Sequence, residues 1–195
     1  MLTTKPSLAL RILASGLCLS SSQVNAAISG LATLGLDIGG DKIETVNYTN
    51  SSSEDINAGA LFSIGVGVIF HTQLAAGPET QFTFNWKSDF TTASNGDLSF
   101  DRYPIELIQF YRLNKMRAGA GISYHVNPTL NGSGFAAKRQ TSYDNALGYV
   151  FEMDYDITPT IYLGGRVTII EYQNSQQPER RYDGHSLGFG AGIRF

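Results

Sequence analysis

Apolar and polar residues alternate with a period of two along most of this chain. In residues 185–195, Leu187, Phe189, Ala191, Ile193 and Phe195 fall on one parity, and Ser186, Gly188, Gly190, Gly192 and Arg194 on the other. Successive side chains of a strand point to opposite faces, so this run predicts a β-strand with one greasy face and one nearly bare face. A sheet wetted on one side would carry Lys, Glu or Thr on its polar parity, because glycine weakens a strand and packs nothing. Glycines there predict a crowded interior, and the greasy parity must then meet a protein core or lipid.

The pattern recurs upstream. Residues 145–157 set Leu147, Tyr149, Phe151, Met153, Tyr155 and Ile157 against Gly148, Glu152, Asp154 and Asp156. Residues 81–90 place Phe82, Phe84, Trp86 and Phe90 outward, with Gln81, Thr83, Asn85, Lys87 and Asp89 inward. Residues 57–71 give an outer set of Ala58, Ala60, Phe62, Ile64, Val66, Val68 and Phe70 over Gly59, Ser63, Gly65 and Gly67. Residues 32–39, 117–127 and 161–169 follow the same rule. Residues 102–112 are the least regular: Ile108 and Phe110 take the inward parity, and Pro104 predicts a bulge. The total is about eight strands, each near the roughly nine to eleven residues that a tilted membrane strand requires.

The connections separate by length. Compact turns are expected around residues 75–78, 114–115 and 158–159, and longer polar loops at 47–55, 92–97, 128–144 and 173–183. Short turns on one side and long loops on the other are the arrangement of membrane barrels, with both termini on the periplasmic side.

Residues 1–26 read as a cleaved secretory signal peptide, leaving a mature domain of residues 27–195. Lys5 and Arg11 supply the positive start, residues 12–19 the apolar stretch, and Val24, Asn25 and Ala26 the cleavage pattern. The stretch is too short to span a bilayer as a helix, and Leu17 before Cys18 is not a lipoprotein signal. Cleavage removes the only cysteine, so no disulfide framework is expected, and it leaves the 17 acidic residues in excess. No basic patch suggests nucleic acid. No other segment is long and apolar enough for a spanning helix, so a membrane-embedded mature chain must be a closed barrel.

The closing strand, through Leu187, Phe189, Ile193 and the terminal Phe195, resembles the C-terminal insertion signal of bacterial outer-membrane barrels. With the strand count and loop pattern, the mature chain resembles the small eight-stranded outer-membrane barrels, the class of OmpX and the membrane domain of OmpA. That resemblance implies an all-β fold, an eight-stranded antiparallel transmembrane up-and-down β-barrel, located in the bacterial outer membrane. It also implies contact with outer-membrane lipid, lipopolysaccharide and the barrel-assembly machinery. No peptidoglycan-binding domain is expected after Phe195.

An eight-stranded barrel is only wide enough for its own side chains to fill it. The inward parity carries Asp37, Lys87, Asp89, Arg102, Glu106, Arg112, Arg117, Glu152, Asp154, Arg166 and Arg194. Charges in so narrow a space must find partners. The hairpin at Pro159 brings Glu152 beside Arg166; Arg112 and Arg117 flank one turn as like charges and look to Asp154 or Asp156. The expected result is a charge network of Glu106, Arg112, Arg117, Glu152, Asp154, Arg166 and Arg194 that plugs the lumen, with a narrow pore as the alternative.

Catalytic signals are incomplete. His71 and His125 point inward at opposite ends; His185 points outward near the outer rim, with Glu171 nearly opposite. A carboxylate beside a histidine is two members of a hydrolase constellation. The nucleophile is missing, because Leu187 follows on that face and Ser186 points inward. The His-x-Ser-Asn pattern of lipid A deacylases of this shape is also absent. Glu152, Asp154 and Asp156 spread along one face and do not converge as calcium ligands. No catalytic, cofactor or metal residue is therefore assigned. Tyr48, Tyr143, Tyr172 and Tyr182 toward the outer end, and Phe70, Tyr111, Tyr155 and Phe195 toward the inner end, are expected as interface girdles.

The sequence thus points to a non-enzymatic integral barrel that supports the envelope or meets a surface ligand through its loops. Residues 128–144, with Lys138 and Arg139, and 173–183, with Arg180 and Arg181, are the contact candidates. The alternatives are a lipid-modifying outer-membrane hydrolase and a secreted lipocalin-type barrel with its apolar parity inside.

Overall fold

A computed structural model describes residues 26–47, 53–72, 74–93 and 96–195. The signal peptide read over residues 1–26 lies outside these residues except for Ala26. The main strands are β1 (Ala26–Ile38), β2 (Leu61–Thr72), β3 (Ala76–Ala93), β4 (Gly96–Leu113), β5 (Met116–Gly132), β6 (Ala146–Asp156), β7 (Ile161–Ile169) and β8 (Ser186–Arg194). Each pairs antiparallel with its neighbour in the chain, and β8 pairs back onto β1, from Leu31 opposite Arg194 to Ile38 opposite Leu187. The ring is closed, so none of these strands presents a free edge. A two-residue strand, Thr141–Ser142, adds to the outer part of β5. Two small hairpins, Lys42–Asn47 with Ser53–Asn57 and Glu171–Gln173 with Arg181–Asp183, stand at the loop end.

The terminal residue completes the seam. Gly30 donates its N–H to the Phe195 carbonyl at 2.7 Å, and Phe195 donates back to Gly30 at 3.0 Å. The Phe195 ring lies across Gly30, where a Cβ would stand 2.8 Å from the ring Cδ2. A side chain at that position would have to displace the ring.

The two faces are inverted relative to a water-soluble sheet. Leu36, Val66, Phe84, Leu107, Phe151, Leu163 and Phe189 are exposed on the outer wall, whereas Gln81, Thr83, Asn85, Lys87, Glu106 and Asp154 are buried inside. A wall of apolar side chains around a polar interior is what a bilayer selects. It also excludes the lipocalin-type reading, which needs the apolar parity inside.

Several local expectations are corrected. Ala58 and Ala60 do not join the outer wall: β2 starts at Leu61, Ala58 donates to the Asp41 carbonyl at 2.8 Å, and both alanines are buried beneath the loops. Residues 92–97 are not a long loop, because the β3–β4 ladder continues to Ala93 opposite Gly96. The irregularity near Pro104 falls between Asp101 and Tyr103 on the β4–β5 pair. Beside it Asn127 adopts φ of 50°, and the strand changes phase, leaving Asn127 exposed and Leu130 buried. An extra residue in one strand of a ladder has that effect.

The outer tyrosines are also reassigned. Tyr143 and Tyr172 are buried and Tyr182 packs against them, so they form an inner core and not a girdle; Tyr48 lies outside the described residues. The exposed aromatics toward that end include Trp86, Phe90, Tyr103 and Tyr124, and those toward the turn end include Phe70, Tyr111, Tyr155 and Phe195.

Candidate functional site

Register decides which interior charges meet. Arg117 on β5 stands opposite Asp154 on β6 and donates Nε to its Oδ2 at 2.6 Å, Nη2 to Gln81 at 2.8 Å and Nη1 to Glu79 at 3.5 Å. Arg112 bonds both Glu79 and Asp156, and Arg194 reaches Asp156 Oδ1 at 2.8 Å. Arg166 donates to Glu106 at 2.6 Å and stands 3.7 Å from Glu152, its partner in the ladder. Ser123 and Thr83 also donate to Glu106, at 2.9 and 3.3 Å. All seven expected members thus enter one of two clusters, around Arg112, Arg117 and Arg194 or around Arg166.

Sequence reasoning missed Glu79, which joins Arg112 to Arg117. It lies between the turn expected at 75–78 and the strand read from residue 81, yet the ladder already runs from Ala76 opposite Leu113. Aromatic rings layer the same region. Arg117 lies over Phe110 at 4.1 Å and over Tyr162 at 4.6 Å, and Arg194 over Tyr162 at 4.6 Å. Stacking of this kind favours a guanidinium in a desolvated site.

Nearer the loop end, Lys87 pairs with Asp37 at 3.3 Å. The wholly buried Arg102 donates to the carbonyls of Phe100, at 3.1 Å, and Ala60. Above it, the Phe100 ring meets Tyr143 and Tyr172 edge to face, each at 5.4 Å, and Ile56, Leu98, Leu130 and Ile170 complete an apolar cluster. Tyr172 bonds His125 Nδ1 at 2.6 Å, and His125 Nε2 bonds Ser123 at 3.0 Å. The loops are thereby tied to the barrel interior. At mid-height a cavity of about 40 Å³ is lined by Gly35, Gly164, Gly190, Glu152, Asp154, Tyr162 and Arg166, among others.

Glu171 and His185 are not brought together. Glu171 stands opposite Asp183 and accepts from Arg181 at 2.8 Å, while His185 Nδ1 faces the Ile170 carbonyl at 3.0 Å. Glu152, Asp154 and Asp156 are each engaged by arginine. Among the described residues no three His, Cys, Asp or Glu side chains form a metal-binding group.

On the loop surface, Arg139 is paired with Glu44 and Arg181 with Glu171, so two of the four candidate contact cations are already engaged. Lys42 and Asp55 bridge the first hairpin at 2.8 Å. The hydrogen bond from Lys42, with a second from Thr45, holds the Asp55 carboxyl below its usual range.

No curated protein matches the chain. Among solved structures, it is similar to Ail, the attachment invasion locus protein of Yersinia pestis, crystallised with the heparin analogue sucrose octasulfate: 11% identity over 86% of this chain and 97% of that one, TM-score 0.48. Neisserial surface protein A is 12% identical over 88% of this chain and 99% of that one, TM-score 0.49. The outer membrane channel DcaP of Acinetobacter baumannii is 10% identical over 90% of this chain and 55% of that one, TM-score 0.35. The family model of the outer membrane protein beta-barrel domain matches residues 12–195, nearly the whole chain. The chain belongs to that family, and its lipid-facing wall lies in the bacterial outer membrane.

Proposed function

We propose that the mature protein, residues 27–195, is a sealed, non-enzymatic outer-membrane barrel whose function lies in the surface its outer loops present. The observation that carries this reading is the tie between Tyr172 and His125 beneath the Phe100–Tyr143–Tyr172 cluster, which fixes the loops over a charge-filled lumen. An ordered surface loses less conformational entropy on binding a ligand than a mobile one. The exposed Lys138 and Arg180 are its cationic contacts for lipopolysaccharide phosphates or an anionic surface ligand. Leu187, Phe189, Ile193 and Phe195 serve as the insertion signal read by the assembly machinery.

The test has two arms. Purified barrel in planar bilayers is expected to give no steady conductance; a steady current overturns the sealed lumen. Cells carrying Lys138→Ala with Arg180→Ala are expected to lose attachment to anionic surfaces at unchanged barrel abundance. Unchanged attachment rejects the surface role.

A further inference from the structure

The outer wall changes character on β3, β4 and β5 just beyond the exposed rings of Trp86, Tyr103 and Tyr124. Such rings mark the level at which hydrocarbon gives way to headgroups. The next row toward the loops on that face is Ser88, Asp101 and Thr129, paired across the two ladders, and Ser99 opposite Asn131 follows. Thr129 and Asn131 reach this face only through the bulge. Thr129 stands opposite Asp101 and Val126 opposite Tyr103, so β5 carries one extra residue there. Asn127 takes φ of 50°, which residues other than glycine adopt rarely, and stays exposed. Without the extra residue Leu130 would face outward and both asparagines inward.

The row is built around a carboxylate. Asp101 Oδ2 accepts from Ser99 at 2.6 Å and from Asn131 at 3.1 Å, Oδ1 accepts from Trp86 Nε1 at 3.3 Å, and Ser88 bonds the carboxylate from the facing strand. All four partners are neutral, so Asp101 presents its whole negative charge to the leaflet around it. The indole bond is long and lies at the surface, where another donor can replace it. Neighbouring rings hold the two aromatics below: Phe62 meets Trp86 edge to face at 6.1 Å, and Phe84 stacks on Tyr103 at 6.3 Å.

We propose that this patch docks the sugar headgroup of an outer-leaflet glycolipid, with sugar hydroxyls bonded to Asp101 and Asn127 and the apolar face of the sugar against Trp86. A carboxylate accepts strongly from hydroxyls and repels a phosphate. An exposed amide donates and accepts, and an indole sets an apolar face beside a polar edge. Together these groups match a polyhydroxylated ring and not a phosphodiester. The occupant is a lipid-borne sugar because the patch lies on the side of the barrel, level with the headgroups, and not on the loop end. The contact is separate from the cationic loop positions Lys138 and Arg180 and does not depend on them.

Trp86 is the single tryptophan of the chain, so its fluorescence reports the patch directly. The intact barrel is reconstituted into phosphatidylcholine vesicles with rising fractions of lipid A, of dephosphorylated lipid A or of phosphatidylglycerol. Both lipid A forms are expected to shift the Trp86 emission saturably, and phosphatidylglycerol is expected to leave it unchanged. Asp101→Asn is expected to raise the half-saturating fraction of dephosphorylated lipid A about tenfold, and Asn127→Gly, which keeps the positive φ, about threefold. The heat-dependent gel shift checks that each variant folds, and Asn127→Gly decides alone if Asp101→Asn does not. A shift that needs the phosphates, or an equal response to phosphatidylglycerol, overturns the sugar assignment. A wild type without a saturable shift, or folded variants with unchanged half-saturation, overturns the patch itself.

Discussion

Arg117 and Asp154 face each other across the β5–β6 ladder with side chains fully buried, joined by a 2.6 Å bond from Nε to Oδ2. Breaking one side of such a pair leaves an uncompensated charge, whereas removing both leaves mainly a void. Arg117→Ala is expected to destabilise the barrel by about 3–5 kcal/mol. Arg117→Ala with Asp154→Ala is expected to cost less than the sum of the two single changes. Urea unfolding of the four proteins in one lipid, read as a double-mutant cycle, measures the coupling; strict additivity would show that the pair does not interact.

Phe151 sits one position before Glu152 and points to the opposite face, where it is exposed on the outer wall. Phe151→Arg is expected to cost about 2–4 kcal/mol if this position lies near the bilayer midplane. The folded fraction on unheated gels, titrated with urea, reads the loss. A cost near zero would place Phe151 in water or headgroups.

Tyr172 supplies the hydroxyl that satisfies His125 Nδ1 at 2.6 Å. Tyr172→Phe leaves a buried polar atom unpaired, at a cost of about 1–3 kcal/mol. Because the change lies above the barrel's ionic floor, the heat-dependent gel shift should remain while the outer loop loosens. Faster tryptic cleavage after Arg180 and Arg181 on intact cells is the expected readout, and an unchanged rate would show that the tie does not order the loop.

The hairpin of Lys42–Asn47 and Ser53–Asn57 should respond to acid. Its Asp55 carboxyl is held below the ordinary carboxylate range by hydrogen bonds from Lys42 and Thr45. A lowered folded-state pKa stabilises the hairpin above the unfolded-state value of about 3.9, and this is lost as pH falls through the folded value. Hydrogen exchange of the hairpin amides should therefore gain an acid-dependent opening step below about pH 4. Asp55→Asn should remove that step; an identical pH dependence in the variant would assign it to another group.

Most of the wall was legible because parity is a local property. Phe82, Phe84 and Trp86 must lie on one face wherever the strand runs, and the same holds for Tyr149, Phe151 and Met153. The rule fails where a residue is inserted or the chain leaves the ladder. Asn127 at φ of 50° reverses the phase of the residues after it, and Ala58 has strand parity without strand pairing. Neither event leaves a mark in a period-two pattern.

The interior was legible as an inventory of charges and not as a set of pairs. Arg112, Arg117, Arg166 and Arg194 could be named as inward groups, and short hairpins suggested some neighbours. Glu79 was hidden by the adjacent Gly77 and Pro78. Its bonds to Arg112 and Arg117 span 33 and 38 residues. The tyrosine core was hidden likewise, because an aromatic near a strand end has the same local pattern whether it turns to lipid or folds over the lumen.

The sequence by itself determined which side of each strand meets lipid and where the turns fall, because both follow from neighbours within a few residues. Only the tertiary structure decided which arginine meets which carboxylate and that the loop tyrosines close over His125. It also decided that Asn127 and Asn131 turn outward beside Asp101. Those relations depend on the registers between strands, which are fixed only when the ring closes and every inward side chain must share one narrow space.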